Sequence, residues 1–344
     1  MLKAALIGFG GVVHAHKNGY LKLEQEEKVK LVAACDIRKE AFNQIVEINL
    51  KNDVTQKADF RCYTDLEEML AKEEIDFVDI CVPSYLHKEL AVRMLNKGYN
   101  VLCEKPMALN SKDCEEMLKA EKMSGKHFMI AQCLRFFPEY EYLKKCIDDR
   151  RFGKVLAAFF SRNSSQPTWG YENWYLDYNR CGGAITDIHI HDIDMVRYLF
   201  GEPDAVSCRA SDCKTKYDIV QTALYYGNLP VTAKGCWTAG KIKFAASYKV
   251  DFEQASILYE DGKVTVYPET GDAFQPELTG HNGYTGEIAF FCDIIEGKIK
   301  NEKNPATSAA NTIKLIETMK KSADEGGKCL PFQKNKLFCA DSLG

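Results

Sequence analysis

Residues 8–16 read GFGGVVHAH, directly after the apolar run KAALIG and before a segment with helical spacing. A strand that turns through glycines into a helix has few structural solutions. The first glycine permits a tight turn, and the second lets a ligand approach the backbone. The helix that follows offers free N–H groups and its dipole to an anion. Gly8 and Gly10 take the first two positions of G-x-G-x-x-G, Phe9, Gly11 and Val12 fill the loop, and Val13 stands at the third position. Valine there puts close helix–strand packing in question rather than anion binding. Lys3 before this apolar stretch resembles a secretory leader, but no small-residue cleavage site follows, so we read strand, loop and helix.

The rest of the chain has two rhythms. Up to Cys133, short runs (KAALIG, VKLVAAC, DFVDICV, NVLCE, HFMIA) alternate with amphipathic stretches such as DLEEMLAKE and HKELAVRMLNKG. That alternation predicts a mostly parallel sheet covered on both faces. Beyond it, a helix over PEYEYLKKCIDDRRFG, ended by Gly153, precedes the strand KVLAAFFSRN, and a second helix lies near 186–200, stopped by Gly201 and Pro203. The runs AVSCRA, IVQTALYY, VTAKGCW, ASILYE and KVTVYP then follow almost without helix, which predicts a mainly antiparallel sheet. Two late helical patterns, TGEIAFFCDIIEG and ATSAANTIKLIETMKKSADEG, close the chain. The expected organisation is an α/β domain over 1–133 and an α+β domain over 134–344, which suits a length of 344 residues.

Composition removes several classes of function. A formal charge of −4 without a basic stripe speaks against nucleic acid as a partner. No apolar run approaches the roughly 18 residues of a membrane span. The 14 cysteines include no Cys-x-x-Cys pair, so neither a zinc site nor a disulfide framework is expected, and a reduced, cytoplasmic setting is.

An acid closes the second strand. The Asp36 carboxylate, 28 positions after Gly8, can hold a ribose 2′-hydroxyl and repel a 2′-phosphate, which favours NAD over NADP. Asp36 can also cap the segment that starts at Arg38, and the Arg38 guanidinium could instead receive a 2′-phosphate. Further along, Glu104-Lys105-Pro106 follows NVLC at the carboxyl end of its strand, where open α/β sheets place ligands. Pro83 and His87, from CVPSYLH, are expected to face the same crevice.

The segment CGGAITDIHIHDID gathers more polar groups. On one helix, Asp187 and His191 share a face that Asp194 continues, while His189 points away. A metal site, an acid/base pair and an exposed helix start all compete here. The poor convergence of His189 with the other two weighs against metal. A histidine titrating near neutral pH beside a carboxylate suits proton transfer. Gly182 and Gly183 would let a ligand approach the backbone.

In this order, GFGGVVHAH, CVPSYLH, CEKPMA, CLRFFPEY and GGAITDIHIHDIDMVRYLFG resemble the Gfo/Idh/MocA oxidoreductases, from Leu2 to about Phe332. The resemblance implies a Rossmann domain followed by an α+β domain whose large open sheet forms a homodimer or homotetramer. It further implies NAD or NADP as cofactor and a secondary alcohol of a sugar, sugar derivative or cyclic polyol as substrate. Lys105, Asp187 and His191 match the catalytic positions. Trp174 and Tyr284 fall in regions that line the pocket in relatives. The sequence departs from the usual pattern at Val13 and at His189, where glycine is common. Arg135 and His189 are expected near the substrate; no cluster of Arg and Lys suggests a phosphorylated substrate, although Arg135, Arg162 and Arg180 leave that question open. The aromatic loop SSQPTWGYENWYLDYNR suits stacking on a sugar ring and equally a subunit contact. Two rival functions compete with an ordinary dehydrogenase: an oxidoreduction between sugars, or glycoside cleavage, with NAD retained throughout, and a non-catalytic dinucleotide-binding regulator.

Overall fold

The computed structural model describes residues 1–43 and 59–332. Six strands form a wholly parallel sheet: β1 (Leu2–Ile7), β2 (Val29–Cys35), β3 (Arg61–Tyr63), β4 (Phe77–Ile80), β5 (Asn100–Glu104) and β6 (Phe128–Ala131). Their order is β3-β2-β1-β4-β5-β6, so the winding reverses between β1 and β4. Around this sheet lie α1 (Val13–Gln25), α2 (Leu66–Lys72), α3 (His87–Asn96) and α4 (Ser111–Ser124). Asp65 and Asn110 cap α2 and α4 by accepting from Glu68 and Asp113 main-chain N–H groups, and Gly125 ends α4 at φ +63°. Strands β4, β5 and β6 are mostly apolar and nearly all buried, as helices on both faces demand. Strand β3 was not anticipated, because RCY is three residues of a half-exposed edge with no periodic signal.

The remaining chain supplies α5 (Pro138–Asp148), β7 (Val155–Ser165), two single turns α6 (Tyr178–Cys181) and α7 (Ala184–Asp187), and α8 (Ile190–Phe200). Strands β8 (Ala205–Ser211), β9 (Ile219–Tyr226), β10 (Leu229–Thr238), β11 (Ala245–Phe252), β12 (Ala255–Glu260) and β13 (Lys263–Pro268) follow, then α9 (Gly283–Ile295), α10 (Ala306–Asp324) and β14 (Leu330–Pro331). The eight-stranded sheet runs β13-β12-β11-β7-β10-β9-β8-β14. It is antiparallel except where β7 meets β10 in parallel, from Ala158 opposite Val231 to Ser165 opposite Thr238. The fold is therefore a parallel α/β sheet joined to a mainly antiparallel α+β sheet. Strand β11 escaped the sequence reading because AASYKVDF opens on small residues, and only Tyr248, Val250 and Phe252 alternate inward.

Three large apolar cores hold these layers. Beneath the second sheet, Phe160, Val220, Val231, Tyr248 and Ile257 meet the buried faces of α5 and α8. The first sheet is covered on one side by α3 and α4 and on the other by α1. Helix α9 returns to this second side, where Ile288 and Phe291 pack among Ala4, Leu6 and Phe77. Helix α10 spans two cores: Ala306–Ile313 sit with the first sheet, Leu315, Ile316 and Met319 with the second. Burying each such side chain contributes about 1.5–3 kcal/mol.

The expected single helix near 186–200 is broken. Helix α7 ends at Asp187, and α8 starts at Ile190 after Ile188 and His189. His189, expected at the pocket, is wholly buried under the second sheet instead, with Nε2 2.9 Å from Thr222 Oγ1. It packs against Gly235 on β10, where a Cβ would lie 2.6 Å from His189 Cβ. Burial pushes its pKa down to about 3, so the ring is neutral. The absent side chain at 235 is what admits an imidazole at 189. Replacing Gly235 with Ala should therefore overpack the junction and destabilise the protein by about 1–3 kcal/mol in urea unfolding. The double variant Gly235→Ala/His189→Gly should regain part of that loss. Equal stability of Gly235→Ala and the parent protein would show that the junction is loosely packed.

Candidate active site

One cavity of about 670 Å³ runs from the glycine turn after β1 to the inner side of the second sheet. It opens at the carboxyl ends of β1 and β4, where the sheet order reverses. Gly8, Phe9, Gly10, Gly11 and Val12 line it. Gly8 has φ +93°, and a Cβ there would meet the Cys81 carbonyl oxygen at 2.6 Å, so only glycine suits that turn. A Cβ on Gly10 would meet nothing within 4 Å, which leaves room for a ligand against the backbone. Val13 takes no part in the lining. Its side chain is fully buried between α1 and the sheet, which accommodates valine where glycine or alanine is usual.

At the second strand's end, Asp36 Oδ2 accepts the Phe9 N–H at 2.8 Å, and Oδ1 accepts the Arg38 N–H at 2.9 Å. The Arg38 guanidinium also donates to Asp36 and lies 4.5 Å from the Tyr171 ring centroid. Tyr171 comes from the aromatic loop of the second half, so that loop reaches across the cleft. A second contact does the same: Arg180 donates to Tyr85 Oη at 2.8 Å and stacks on its ring. Glu172 and Asn173 in this strap have φ near +50°. Neither clasp was foreseen, since each joins residues more than ninety positions apart.

Lys105 lies just beyond β5 beside a cis peptide to Pro106. Its ammonium donates to Asp187 Oδ1 and to the Asp187 main-chain oxygen, both at 3.0 Å. Burial works against its charge, but the Asp187 and Glu104 carboxylates outweigh burial and raise its pKa. His191 lines the same stretch of cavity, with Nδ1 buried and unpartnered. Burial first, then the Lys105 and Arg162 cations, hold its pKa well below the ordinary histidine range. Asp187 thus pairs with Lys105 rather than with His191. Asp194, on the continuing face, turns away to Arg135.

Pro83, Glu104, Trp174 and Tyr284 line the cavity as expected. His87 does not: it is buried behind the loop, with Nδ1 2.7 Å from the Pro106 oxygen and Nε2 2.9 Å from the Val82 oxygen. It ties the loop after β4 to the Lys105–Pro106 turn. Arg135 also lies outside the cavity, locked by two bonds to Asp194 and by others to Lys303 O and Ser308 Oγ. Gly182 and Gly183 are left-handed turns, the second pressed against the Lys216 carbonyl, and neither lines the cavity.

Under the glycine turn lies a network the sequence did not announce. His16 on α1 is fully buried, with Nδ1 2.8 Å from Asp79 Oδ2 and Nε2 2.9 Å from Glu104 Oε1. Burial opposes its proton, yet Asp79 outweighs burial and raises its pKa well above the usual value. Glu104 Oε2 in turn accepts the Lys105 main-chain N–H at 2.9 Å. His16 was visible in GFGGVVHAH, but its partners lie 63 and 88 residues away. His16, Asp79 and Cys81 place ligand atoms within 4.8 Å of one another, but the histidine and aspartate bond each other directly.

The family model described as an oxidoreductase family with an NAD-binding Rossmann fold matches residues 2–132, and the GFO/IDH/MocA C-terminal domain model matches 140–263. A 2,7-anhydro-N-acetylneuraminate hydratase of Mediterraneibacter gnavus is 34% identical over 148 residues, 43% of this chain and 39% of that protein. The curated relatives that head the comparison are matched over only about two-fifths of their own length. A scyllo-inositol 2-dehydrogenase (NADP(+)) of Bacillus subtilis is 28% identical across 75% of this chain and 81% of its own. Among solved structures, the aldose-aldose oxidoreductase of Caulobacter crescentus superposes with TM-score 0.81 at 20% identity, over 96% of this chain and 99% of that one. Both halves of the chain, in fold and in family pattern, thus lead to one assignment: it belongs to the Gfo/Idh/MocA oxidoreductase family.

Proposed function

We propose that the protein is an NAD-dependent oxidoreductase acting on a secondary alcohol of a sugar, glycoside or cyclic polyol. The observation that carries this reading is the Lys105–Asp187 pair beside a neutral His191, in the cleft that begins at the glycine turn. Relatives named as inositol, myo-inositol and levoglucosan dehydrogenases support the substrate class.

The cradle fits a dinucleotide. The Gly8–Val12 turn and the N-terminus of α1 would hold the pyrophosphate, and Asp36 the adenosine ribose, favouring NAD over NADP. Pro83, Glu104 and Lys105 would flank the nicotinamide. When bound, NAD supplies the acceptor for the hydride that leaves the carbinol carbon. His191, neutral because it is buried beside two cations, takes the hydroxyl proton. Lys105, kept cationic by Asp187 and Glu104, orients that hydroxyl and stabilises the developing alkoxide. Asp187 holds Lys105 in place through two acceptors on one residue. Trp174 and Tyr284 offer apolar faces to a sugar ring.

We also propose a homodimer or homotetramer through the outer face of the second sheet, where Phe159, Tyr225 and Tyr267 are exposed. We propose a reduced cytoplasmic setting from the cysteine pattern, which holds no Cys-x-x-Cys pair. No helix among the described residues is long and apolar enough to cross a membrane.

With inositols, hexoses and anhydrosugars plus NAD or NADP, reduced nicotinamide should appear, followed by its absorbance. Lys105→Met should lower kcat/KM by about 10²-fold or more while NADH fluorescence titration still shows binding. Near-normal turnover in that variant would refute the assignment of Lys105. His191 sets a second expectation. Its pKa lies below the ordinary histidine value of about 6.5, so the neutral base persists as pH falls through that value. The acid limb of kcat/KM should therefore lie below pH ~6.5; a limb at or above it would exclude His191 as the base.

A further inference from the structure

The cavity lining includes Arg162, a cation to which the proposed reaction assigns no contact with the substrate. Arg162 on β7 lines the cavity, although its side chain is only 5% exposed. Its Nε and Nη2 donate to Asp192 on α8, at 3.3 and 3.0 Å, and Nη2 also donates to Tyr140 Oη at 2.9 Å. The guanidinium carbon stands 5.7 Å from the Phe244 ring centroid. Nη1 makes no hydrogen bond among the described residues, and in a residue that lines the cavity it is the nitrogen left for a ligand.

The two ends of this ion pair face different surroundings. Asp192 is wholly buried behind the cavity wall and does not line it, so the cationic end alone meets a ligand. The wall around it is aromatic: Phe137, Tyr140, Trp237, Phe244 and Tyr259 all line the cavity. A guanidinium with an open N–H edge among apolar walls is costly unless an acceptor completes it. A carboxylate oxygen is the strongest acceptor a small metabolite offers to that edge. A neutral hydroxyl would complete the hydrogen bond without the charge assistance that a carboxylate adds.

We infer that Arg162 is a specificity-determining residue and that the substrate is a sugar acid, a polyhydroxylated ring carrying a carboxylate, rather than a neutral sugar. This rests on the proposed oxidoreductase reading. Lys105 and His191 then meet the reacting carbinol, and Arg162 receives the carboxylate elsewhere on the same molecule. The carboxylate is bound and not consumed, so the hydride and proton transfers balance as before. Arg135 and Arg180, the other arginines that left a phosphorylated substrate open on sequence, are held by Asp194 and by Tyr85.

The test compares each hexose with its uronate, glucose against glucuronate and galactose against galacturonate, in turnover with NAD and in calorimetric binding to the NADH-loaded protein. The parent protein should favour the acid by about ten-fold or more, the range of a hydrogen bond to a charged group. Removing Arg162 alone strands the Asp192 charge and endangers folding. The informative variant is therefore Arg162→Met/Asp192→Asn, in which the acid-to-neutral ratio should fall to about one. Arg162→Lys should retain part of the preference. An acid-to-neutral ratio near one in the parent, or a preference that survives in the double variant, overturns the inference. Failure of the oxidoreductase reading looks different: Arg162-dependent acid binding would persist while no sugar of either kind is turned over.

Discussion

One ion pair ties the two architectures together. Lys105 hangs from the carboxyl end of a parallel strand, and Asp187 closes a single helical turn of the other half. Their 3.0 Å contact is mostly buried, so it draws little strength from charge alone, because desolvating both partners offsets much of their attraction. Its value lies in geometry. The ammonium has two acceptors on one residue, the main-chain and side-chain oxygens of Asp187, and this fixes its position more tightly than a single bond would. Behind it, His87 binds the turn and Glu104 holds the Lys105 amide. The Lys105 cation held here also adds to the burial that keeps His191 neutral.

Much of this was legible because the signals were local. Gly8 and Gly10 announced their turn and Asp36 its place after β2; Asp187 and His191 both line the cleft, although the single helix expected to align them is broken. The readings that failed were those that needed a side chain's direction. His87, Arg135 and His189 lie next to residues that line the cavity, yet each points into protein and finds partners there. One residue of sequence reverses a side chain's direction on a strand and turns it by about 100° on a helix, so proximity in the chain says little about proximity to a ligand. For His189 the deciding partner, Gly235, lies far along the chain on another strand.

The buried network under the glycine turn was illegible for a related reason. A lone histidine on an amphipathic helix gives no sign of whether it will meet one acid or two. Asp79 sits inside the strand FVDI, which looks like uniform core. Only the pairing of β4 with β1 and β5 brings that acid and Glu104 to His16. Such a network is demanding, since any member left alone would be a buried charge without a partner.

Helix α9 carries a consequence for how the chain comes together. Ile288 and Phe291 seal the same side of the first sheet as Ala4 and Leu6, across a gap of some 280 residues. During synthesis from the N-terminus, the strands and helices of the first half emerge long before this covering helix exists. Until then an apolar wall stays wet, and the nascent sheet has to wait for chain made at the far end. The molecule is therefore closed by a contact of very high sequence separation. That topology slows folding and couples the loss of β1 or α9 to exposure of the first sheet's apolar face.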